Sequence, residues 1–495
     1  MNINATFSRL DFMLKKYTDY VTLITLFIIS RIIIYNLRPF EDYPLNNAMQ
    51  LLDPAILRHH LLWGLYYDHH QPPLFNLLIG SILKIAPTGQ EHSYFVIIYF
   101  ITGLIITITT YTLMRKLNGT KPLSLVITLV LMLTPSLCLV ERWLYYGEQL
   151  TVMLVMCGLL FYVYINSQKL IYFVLFMLCL SAIALTKGFY HIIFWMVPIV
   201  IYINYLTIIR KKQHIVTTAA ISIIFIIITS LPYVKNYINY GEFIASTYVG
   251  CNIAGMTHYV NNDKIMKLIE AKKITKLALI KRQSIPEVYY SYYGQKPETG
   301  INLLDDAYKT TGAINYNNLI YVKASKEYRN NSLIIIWNYP LDYLHAVANS
   351  IYIYFNYDAA YHFFDTMDEW FVIRKDRILT DVINLFILPP FYVISFILAI
   401  YGLCLNINKK AVVLKPTNGD DIALSSTCLF CIFNIIYGFL VANFVDLGEE
   451  CFYRIPTDPF VAVGVMIALS YISKKRLERQ STGPHGRGAI VQPDQ

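Results

Sequence analysis

Long, uninterrupted runs of apolar residues are the feature that most restricts what this 495-residue chain can fold into. Hydrophobic residues make up 56% of the chain and charged residues only 15%, whereas a soluble globular chain usually carries about 25% charged residues. A helix that crosses a bilayer needs about 20 mostly apolar residues. The length of the runs therefore predicts an all-α polytopic membrane protein.

Ten of these runs approach the length of a spanning helix. They are residues 20–37, 94–114, 122–140, 148–166, 170–186, 189–209, 215–234, 382–405, 422–445 and 459–473. An eleventh run, Leu74–Ile85, is only about a dozen residues long, which predicts a re-entrant or interfacial helix instead of a span.

Clusters of Lys and Arg between the runs indicate how the spans are oriented, because cytoplasmic loops carry an excess of these residues. The clusters are Lys15 and Lys16; Arg115, Lys116 and Lys121; Arg210, Lys211 and Lys212; Lys409 and Lys410; and Lys474, Lys475 and Arg476. Ten spans place all of them on one side of the membrane. Counting Leu74–Ile85 as a full span would break this agreement from the second cluster onward, so ten is the predicted number.

This orientation predicts two large segments on the outer side. The complete division is a cytoplasmic N-terminus (1–19), a first span (20–37), a first outer loop with the short helix (38–93), six spans (94–234), an outer domain (235–381), three spans (382–473) and a cytoplasmic tail (474–495). Without a repeat of 20 to 50 residues, the sequence does not indicate a solenoid or a propeller.

Ionisable residues gather at the outer ends of the predicted spans, where such residues are candidates for function. Six sets occur there: Glu41 and Asp42; Asp68, His69, His70 and Gln71; Glu141, Arg142 and Glu148; Lys187 and His191; Lys235 and Asn236; and Glu449, Glu450 and Arg454. The orientation rests on other residues, so the common placement of these sets predicts one shared site.

The chemistry of these sets narrows the class of reaction. A carboxylate beside the membrane can act as general base toward an acceptor hydroxyl or amine. Lys and Arg can bind a phosphate and stabilise the negative charge that develops as it leaves. Together they suit glycosyl transfer from a phosphate-linked lipid donor. The lysines and arginines sit in short clusters between apolar runs, so the net charge of +9 does not indicate nucleic-acid binding.

The order of these motifs resembles the GT-C superfamily, most closely its protein O-mannosyltransferase and lipid A aminoarabinose transferase branch, glycosyltransferase family 39. The resemblance rests on the acidic pair, the QPPLF turn at 71–75, the short helix, TKG at 186–188 and the large outer segment. It covers roughly the first 250 residues and the entry to the last span. It implies a GT-C-like bundle of about ten spans, with a helical first outer loop and a larger outer domain.

The resemblance also implies roles for individual residues. Glu41 or Asp42 corresponds to the catalytic base, and their order is the reverse of the family's usual Asp-Glu. Lys187 and Arg454 correspond to residues that contact the lipid phosphate, and we add Lys235 because it lies at an outer span end. The aminoarabinose transferases have a lysine where this chain has Gln71, so either a neighbouring histidine replaces that contact or the contact is absent.

The remaining candidates are substrate-binding residues, and several of the candidates have a simpler interpretation. His69, His70 and Gln71, together with Glu141, Arg142 and Glu148, are the predicted substrate contacts. The last three alternatively form a local ion pair, Lys187 alternatively anchors a helix at the interface, and Arg454 alternatively pairs with a neighbouring glutamate.

Asp53 is predicted to cap a helix that begins at Pro54. No cofactor is implied. Asp68, His69 and His70 are of the types that bind a divalent metal ion, which is the alternative here, but adjacent histidines seldom bind a single ion, so we predict no metal site.

The sequence therefore predicts a glycosyltransferase that moves a sugar from a polyprenyl-phosphate donor to a lipid, glycan or protein acceptor on the outer face of the membrane. A bacterial inner membrane is favoured. The alternative is a transporter or flippase of lipid-linked saccharides, which would show inverted repeats and charges near the bilayer midplane. A polymerase or ligase of glycans would use the same lipid-linked substrates, but the late part of this chain is poor in arginine.

Overall fold

The computed structural model describes residues 3–190, 196–197, 201, 212–355, 388–407, 419–447 and 450–481. Within these residues the regular structure is helical, with two isolated β-bridges, Glu41 with Trp143 and Tyr308 with Ile314. The predicted all-α class is confirmed.

The helices up to residue 186 are α1 (Ile3–Leu37), α2 (Pro44–Asn47), α3 (Pro54–His59), α4 (Leu61–Tyr67), α5 (Leu74–Ile85), α6 (Glu91–Lys116), α7 (Lys121–Met132), α8 (Pro135–Glu141), α9 (Gly147–Ser167) and α10 (Leu170–Thr186). Those that follow are α11 (Lys212–Tyr240), α12 (Val249–Gly255), α13 (Asn262–Glu270), α14 (Pro286–Tyr293), α15 (Asn302–Asp305), α16 (Ile320–Asn338), α17 (Pro340–Phe355), α18 (Leu388–Leu405), α19 (Gly419–Val445), α20 (Glu450–Arg454) and α21 (Asp458–Ser481).

Six helical segments of the described chain are long and apolar enough to cross a membrane. They are Tyr17–Leu37 in α1, Glu91–Lys116, Gly147–Ser167, His214–Tyr240 in α11, Asp420–Val445 in α19 and Phe452–Arg476 in α20 and α21. The protein is therefore an integral, multi-pass membrane protein. α10 and α18 are shorter apolar helices. The predicted span 189–209 and the start of the span 382–405 lie largely outside the described residues.

The predicted span 122–140 is a bent pair of helices. α7 and α8 meet at an angle of 58°, and together they qualify as a seventh span. Pro135 is the first residue of α8. Proline disfavours helical backbone in the residue before it and donates no backbone hydrogen bond, so the helix breaks just before this position.

The short apolar run Leu74–Ile85 forms the 12-residue helix α5. Its polar anchor is Asn76, which accepts a hydrogen bond from the Leu52 backbone N–H at 3.0 Å and donates to the Gln50 carbonyl at 3.2 Å. At Gly80 it lies close to α3, because an added Cβ would lie 3.1 Å from the Leu57 carbonyl oxygen. α5 is therefore packed tightly against the helices of the first loop.

The described part of the segment after α11 folds as a helical unit whose interior is rich in tyrosine. Tyr289, Tyr321 and Tyr328 are buried around Cys251. The Tyr321 hydroxyl donates to the Ser284 carbonyl at 2.8 Å, and the Tyr328 hydroxyl donates to the Ile280 carbonyl at 2.9 Å. Buried tyrosines need such partners for their hydroxyls, so these bonds allow an aromatic core with polar tips.

This unit is joined to the first loop by polar contacts. Lys309 donates from Nζ to the carbonyls of Ala48 and Leu51, both at 2.8 Å. Asp53 caps α3 by accepting from the Ala55 N–H at 2.9 Å, which confirms its predicted role, and it also accepts from the Thr310 hydroxyl at 2.7 Å.

Candidate active site

The loop between α4 and α5 carries Asp68, His69, His70 and Gln71, and its first residue organises it. Asp68 is buried and accepts hydrogen bonds from the His70 N–H at 3.1 Å and from Asn76 Nδ2 at 2.9 Å. The Gln71 N–H lies 3.4 Å from the same carboxylate. Burial raises the pKa of Asp68 to about 6, although the charge of Lys235 acts in the opposite direction. Asp68 therefore fixes the backbone of this loop.

His69 ties the loop to the segment that follows α11. Its Nε2 donates to the Asn317 carbonyl at 2.9 Å, which leaves Nδ1 to accept from the Thr247 hydroxyl at 2.7 Å. Burial lowers the pKa of the imidazole to about 3. Both ring nitrogens are used within the protein, so the arrangement gives His69 a structural position.

The surroundings of the His70 ring differ from those of the His69 ring. Its side chain is 2% exposed, and neither ring nitrogen has a hydrogen-bond partner among the described residues. The ring packs 4.5 Å from the ring of Tyr248. Burial and the nearby charges of His69, Lys187 and Lys309 lower the pKa of His70 well below its ordinary value. A buried imidazole without partners is costly, so this ring is available to a ligand.

Lys187 lies immediately after α10 and is 7% exposed. Its Nζ donates to the Tyr146 hydroxyl at 2.5 Å and lies 4.6 Å from the centre of the same ring. The ring of Tyr453 is 5.5 Å away on another helix. A buried ammonium can interact strongly with an anion, because little water screens its charge.

A row of aromatic rings extends from Lys187 to the acidic pair. The rings of Tyr146 and Tyr145 are 4.1 Å apart, and those of Tyr145 and Trp143 stack at 4.7 Å. The backbone beside Trp143 pairs with Glu41, because the Glu41 N–H donates to the Arg142 carbonyl at 2.7 Å and the Leu144 N–H donates to the Glu41 carbonyl at 3.1 Å. We call Trp143, Tyr145 and Tyr146 the aromatic row.

The acidic pair is the accessible end of this arrangement. Asp42 Oδ2 lies 2.9 Å from His92 Nδ1, and the Asp42 side chain is 42% exposed. Glu41 is partly buried. Arg142 donates to the Arg38 carbonyl at 2.9 Å and thereby fixes the chain that leads into the pair.

Glu141 and Glu148 belong to a buried group of charges between α1, α6 and α9. Arg31 forms a bidentate ion pair with Glu141, in which Nη2 lies 2.6 Å from Oε2 and Nε lies 2.9 Å from Oε1. Both side chains are 3% exposed. The Glu148 carboxylate is buried and has no hydrogen-bond partner among the described residues. An added Cβ at Gly103 would lie 2.7 Å from Glu141 and 3.2 Å from Glu148, so both carboxylates lie against this glycine.

Lys235 and Arg454, the two other predicted phosphate ligands, are held by protein contacts. Lys235 donates to the carbonyls of Asp68 and, at 3.4 Å, Leu65. Arg454 donates to the Tyr354 carbonyl at 2.8 Å, and its guanidinium lies 3.7 Å above the ring of Tyr392. Lys235 thus belongs to the histidine loop, whereas the guanidinium of Arg454 is directed at α17 and α18. His191 and Glu449 lie outside the described residues.

Sequence reasoning did not identify three residues that the structure draws into these groups. Arg31 has a visible signal, since it is a charged residue inside the apolar run 20–37. Tyr146 is adjacent to a set of ionisable residues but is one of 41 tyrosines. Lys309 belongs to a polar segment, and nothing in the local sequence distinguishes it.

Among the residues that the structure describes, no group of three His, Cys, Asp or Glu side chains is arranged to hold a metal ion.

Comparisons with known proteins give similarity at the level of structure only. No protein-family model matches the chain, and no curated protein sequence matches it significantly. The apo form of the oligosaccharyltransferase of Archaeoglobus fulgidus is similar, with a TM-score of 0.44, 12% identity, and 97% of this chain and 53% of that chain covered.

Two other oligosaccharyltransferase structures from the same organism give comparable values. The complex of oligosaccharyltransferase AglB with an inhibitory peptide and a dolichol-phosphate has a TM-score of 0.42 and 12% identity, and 97% of this chain and 53% of that chain are covered. The form tethered to an acceptor peptide containing the NVT sequon has a TM-score of 0.42 and 14% identity, with 97% of this chain and 52% of that chain covered. This chain therefore spans about half the length of the solved proteins it resembles.

Proposed function

We propose that this protein is a membrane glycosyltransferase that moves a sugar from a polyprenyl-phosphate donor to a lipid, glycan or protein acceptor. The observation that carries the proposal is the buried ammonium of Lys187, held by Tyr146 and lying near the unpartnered imidazole of His70. These groups suit a phosphate with an attached sugar. The acidic pair at the other end of the aromatic row suits an acceptor.

Lys187 binds the donor phosphate in this proposal. Its ammonium stabilises the negative charge that develops on the phosphate as the sugar leaves, and burial strengthens that interaction. The neutral imidazole of His70 donates one hydrogen bond to the phosphate or to a sugar hydroxyl. The polyprenyl tail remains among the spans, which is why the site lies at the end of α10 and not in the segment beyond the membrane.

The carboxylate of Asp42 or Glu41 acts as general base. The acceptor hydroxyl loses its proton to this carboxylate, and its oxygen forms a bond to the anomeric carbon. The bond between that carbon and the phosphate oxygen breaks, and its electron pair leaves with the polyprenyl phosphate. The sugar lies beside the aromatic row, between Lys187 and the acidic pair. The reaction occurs on the outer side of a bacterial inner membrane.

A transporter or flippase of lipid-linked saccharides is the second candidate, and the buried charges of the spans favour it. Arg31, Glu141 and Glu148 lie inside or at the ends of apolar helices, and the Glu148 carboxylate has no hydrogen-bond partner among the described residues. Such residues often mark ion or proton pathways. This candidate predicts movement of an intact lipid-linked saccharide without cleavage of its sugar–phosphate bond.

Transfer by the purified full-length protein tests the proposal. The protein in detergent receives polyprenyl-phosphate sugars and candidate acceptors, and the release of free polyprenyl phosphate is measured. Lys187→Met should reduce the rate at least about 100-fold, since a single electrostatic contact to the developing charge is commonly worth that much. The matched control is Lys273→Met, because Lys273 is exposed on the outer segment.

The acidic pair is tested in the same assay with Asp42→Asn and Glu41→Gln. One of the two should abolish release while the protein stays folded by thermal unfolding. Full activity in the double variant would remove the pair from the mechanism. Flipping of intact donor across a proteoliposome, with no release of lipid phosphate, would establish the transporter instead.

A further inference from the structure

A basic groove lies where α11 leaves the membrane. It encloses about 320 Å³ between the end of α11, residues 295–297 and the first turns of α16. Its charged lining residues are Glu242, Lys296, Lys323 and Lys326. Three lysines thus face one glutamate, and none of them belongs to the candidate active site.

The single carboxylate of the groove is already neutralised. Glu242 pairs with Lys326 Nζ at 2.6 Å through one oxygen and with Arg329 Nη2 at 3.0 Å through the other. Lys323 Nζ lies 4.2 Å above the ring of Tyr293, and Lys296 is exposed. The groove therefore carries a net positive charge that can attract an anion.

The surroundings of the groove are those of a bilayer surface. α11 is apolar along most of its length and ends at Tyr240, which lines the groove. The nearby side chains of Tyr237 and Phe243 are 60% and 61% exposed, and their rings are 6.4 Å apart. On α4, which the Tyr66 hydroxyl links to Asn239 at 3.2 Å, Leu62 is 76% exposed.

Exposed aromatic residues at the end of a span are typical of the interface between lipid tails and headgroups. The exposed side chains of Leu62, Trp63 and Tyr66 on α4 form an apolar patch that would otherwise face water at a cost. These observations put the lysines of the groove at the height of the lipid headgroups, where a basic residue interacts favourably with an anionic lipid.

We propose that this groove binds the phosphodiester headgroup of an anionic phospholipid of the surrounding bilayer. Lys296 and Lys323 contact the phosphate, while Lys326 keeps Glu242 neutral. The acyl chains lie along the exposed face of α11. The inference is independent of the proposed transferase activity, since it uses none of the residues assigned to the donor or the acceptor.

Lipid retention measured by native mass spectrometry tests the groove. The full-length protein is released from nanodiscs that contain equal amounts of phosphatidylglycerol and phosphatidylcholine, and the bound lipids are counted. We expect preferential retention of phosphatidylglycerol. Lys296→Gln and Lys323→Gln should each weaken retention about five-fold, as expected for the loss of one basic contact to an anionic lipid.

Lys273→Gln is the control, because it removes an exposed lysine of the same segment outside the groove. Thermal unfolding verifies that each variant is folded. Equal retention of the two lipids by the unmodified protein would overturn the proposal, and so would an unchanged preference in the Lys296→Gln, Lys323→Gln double variant. Displacement of the lipid by millimolar inorganic phosphate, or retention of polyprenyl phosphate in place of phosphatidylglycerol, would identify a different ligand and overturn it as well.

Discussion

His69 and His70 are neighbours in the chain, yet their surroundings give them different uses. Both ring nitrogens of His69 bond to the segment after α11, whereas those of His70 have no hydrogen-bond partner among the described residues. The difference arises from partners about 180 and 250 positions away, Thr247 and Asn317. The sequence around two adjacent histidines therefore does not show which one has a structural role and which one is open to a ligand.

The stability of the protein should fall as the pH decreases from about 6.5. His69 has a pKa of about 3 in the folded protein against an ordinary value of 6.5, so the unfolded chain binds more protons between these values. His70 shifts in the same direction. Asp68 acts oppositely, because its pKa of about 6 lets the folded state retain a proton between about pH 4 and 6. The effect of the two lowered histidine pKa values on stability therefore outweighs the effect of the raised Asp68 pKa.

Thermal unfolding in detergent between pH 5 and 7 measures this effect. His69→Gln should flatten the dependence of stability on pH by up to about 1.4 kcal/mol per pH unit, the limit for one titrating group. His258→Gln is the control, because His258 is exposed. An unchanged pH dependence in His69→Gln would contradict the assignment.

Removing one partner of the ion pair of Arg31 and Glu141 should strongly destabilise the protein. Glu141→Ala leaves the guanidinium buried without its counter-charge, and we expect a loss of about 3–5 kcal/mol in the free energy of unfolding. The control is Asp342→Ala, which breaks the more exposed pair with Lys264 and should cost about 0–1 kcal/mol. Similar losses in the two variants, measured by thermal unfolding, would argue against a structural role for Glu141.

At the scale of elements, two glycines bring α18 and α21 into close contact. An added Cβ at Gly402 would lie 2.0 Å from the Gly464 carbonyl oxygen, and one at Gly464 would lie 2.5 Å from the Ala399 carbonyl oxygen. Small residues allow the backbones of spanning helices to approach in this way. The glycines therefore set the distance between the two helices.

Gly464→Ala should destabilise the protein by about 1–3 kcal/mol, because the methyl group would meet backbone atoms that cannot move independently of their helix. Gly438→Ala in α19 is the matched control, since its Cβ would lie at an ordinary 3.4 Å from the Thr457 methyl group. Thermal unfolding midpoints in the same detergent compare the two. Equal midpoints would show that α18 and α21 can separate at little cost.

Elements differ in how well local sequence predicts them. The bounds of α5 follow from the length of its apolar run and from the prolines before it, which are local features. The break between α7 and α8 also has a local cause in Pro135, but hydropathy averaged over a window conceals it. The run 122–140 is predicted as one span, and the structure forms it from two helices that together still qualify as a span.

At the scale of the whole molecule, the first loop and the segment after α11 act as one structure. Lys309 binds the carbonyls of Ala48 and Leu51, Thr310 binds Asp53, and Asn317 binds His69. Burial lowers the pKa of Lys309 to about 8, so its contribution to stability increases as the pH rises from about 8 toward 10.5. The position of the loop that carries His69 and His70 thus depends on contacts between distant segments.

The orientation in the membrane is a prediction of the cationic loops and is tested by labelling. We expect Lys116→Cys to be protected from an impermeant thiol reagent in intact cells and Lys273→Cys to be labelled. Labelling of the unmodified protein measures the background signal from the 8 cysteines that the chain already contains. Labelling of Lys116→Cys from outside would invert the topology and require a new location for the proposed site.

The sequence by itself determined the class of protein, most of the spanning helices, the short helix α5 and the cap at Asp53, because run length, proline and capping residues act within a few positions. It also predicts that the functional site lies at the outer ends of the spans. Only the tertiary structure decided which charges are used internally and which face a cavity. Arg31 pairs with Glu141, Tyr146 holds Lys187, and Lys309 approaches His70 across gaps of 41 to more than 200 residues. Side-chain partners at such separations are set by the packing of helices, which a local pattern does not encode.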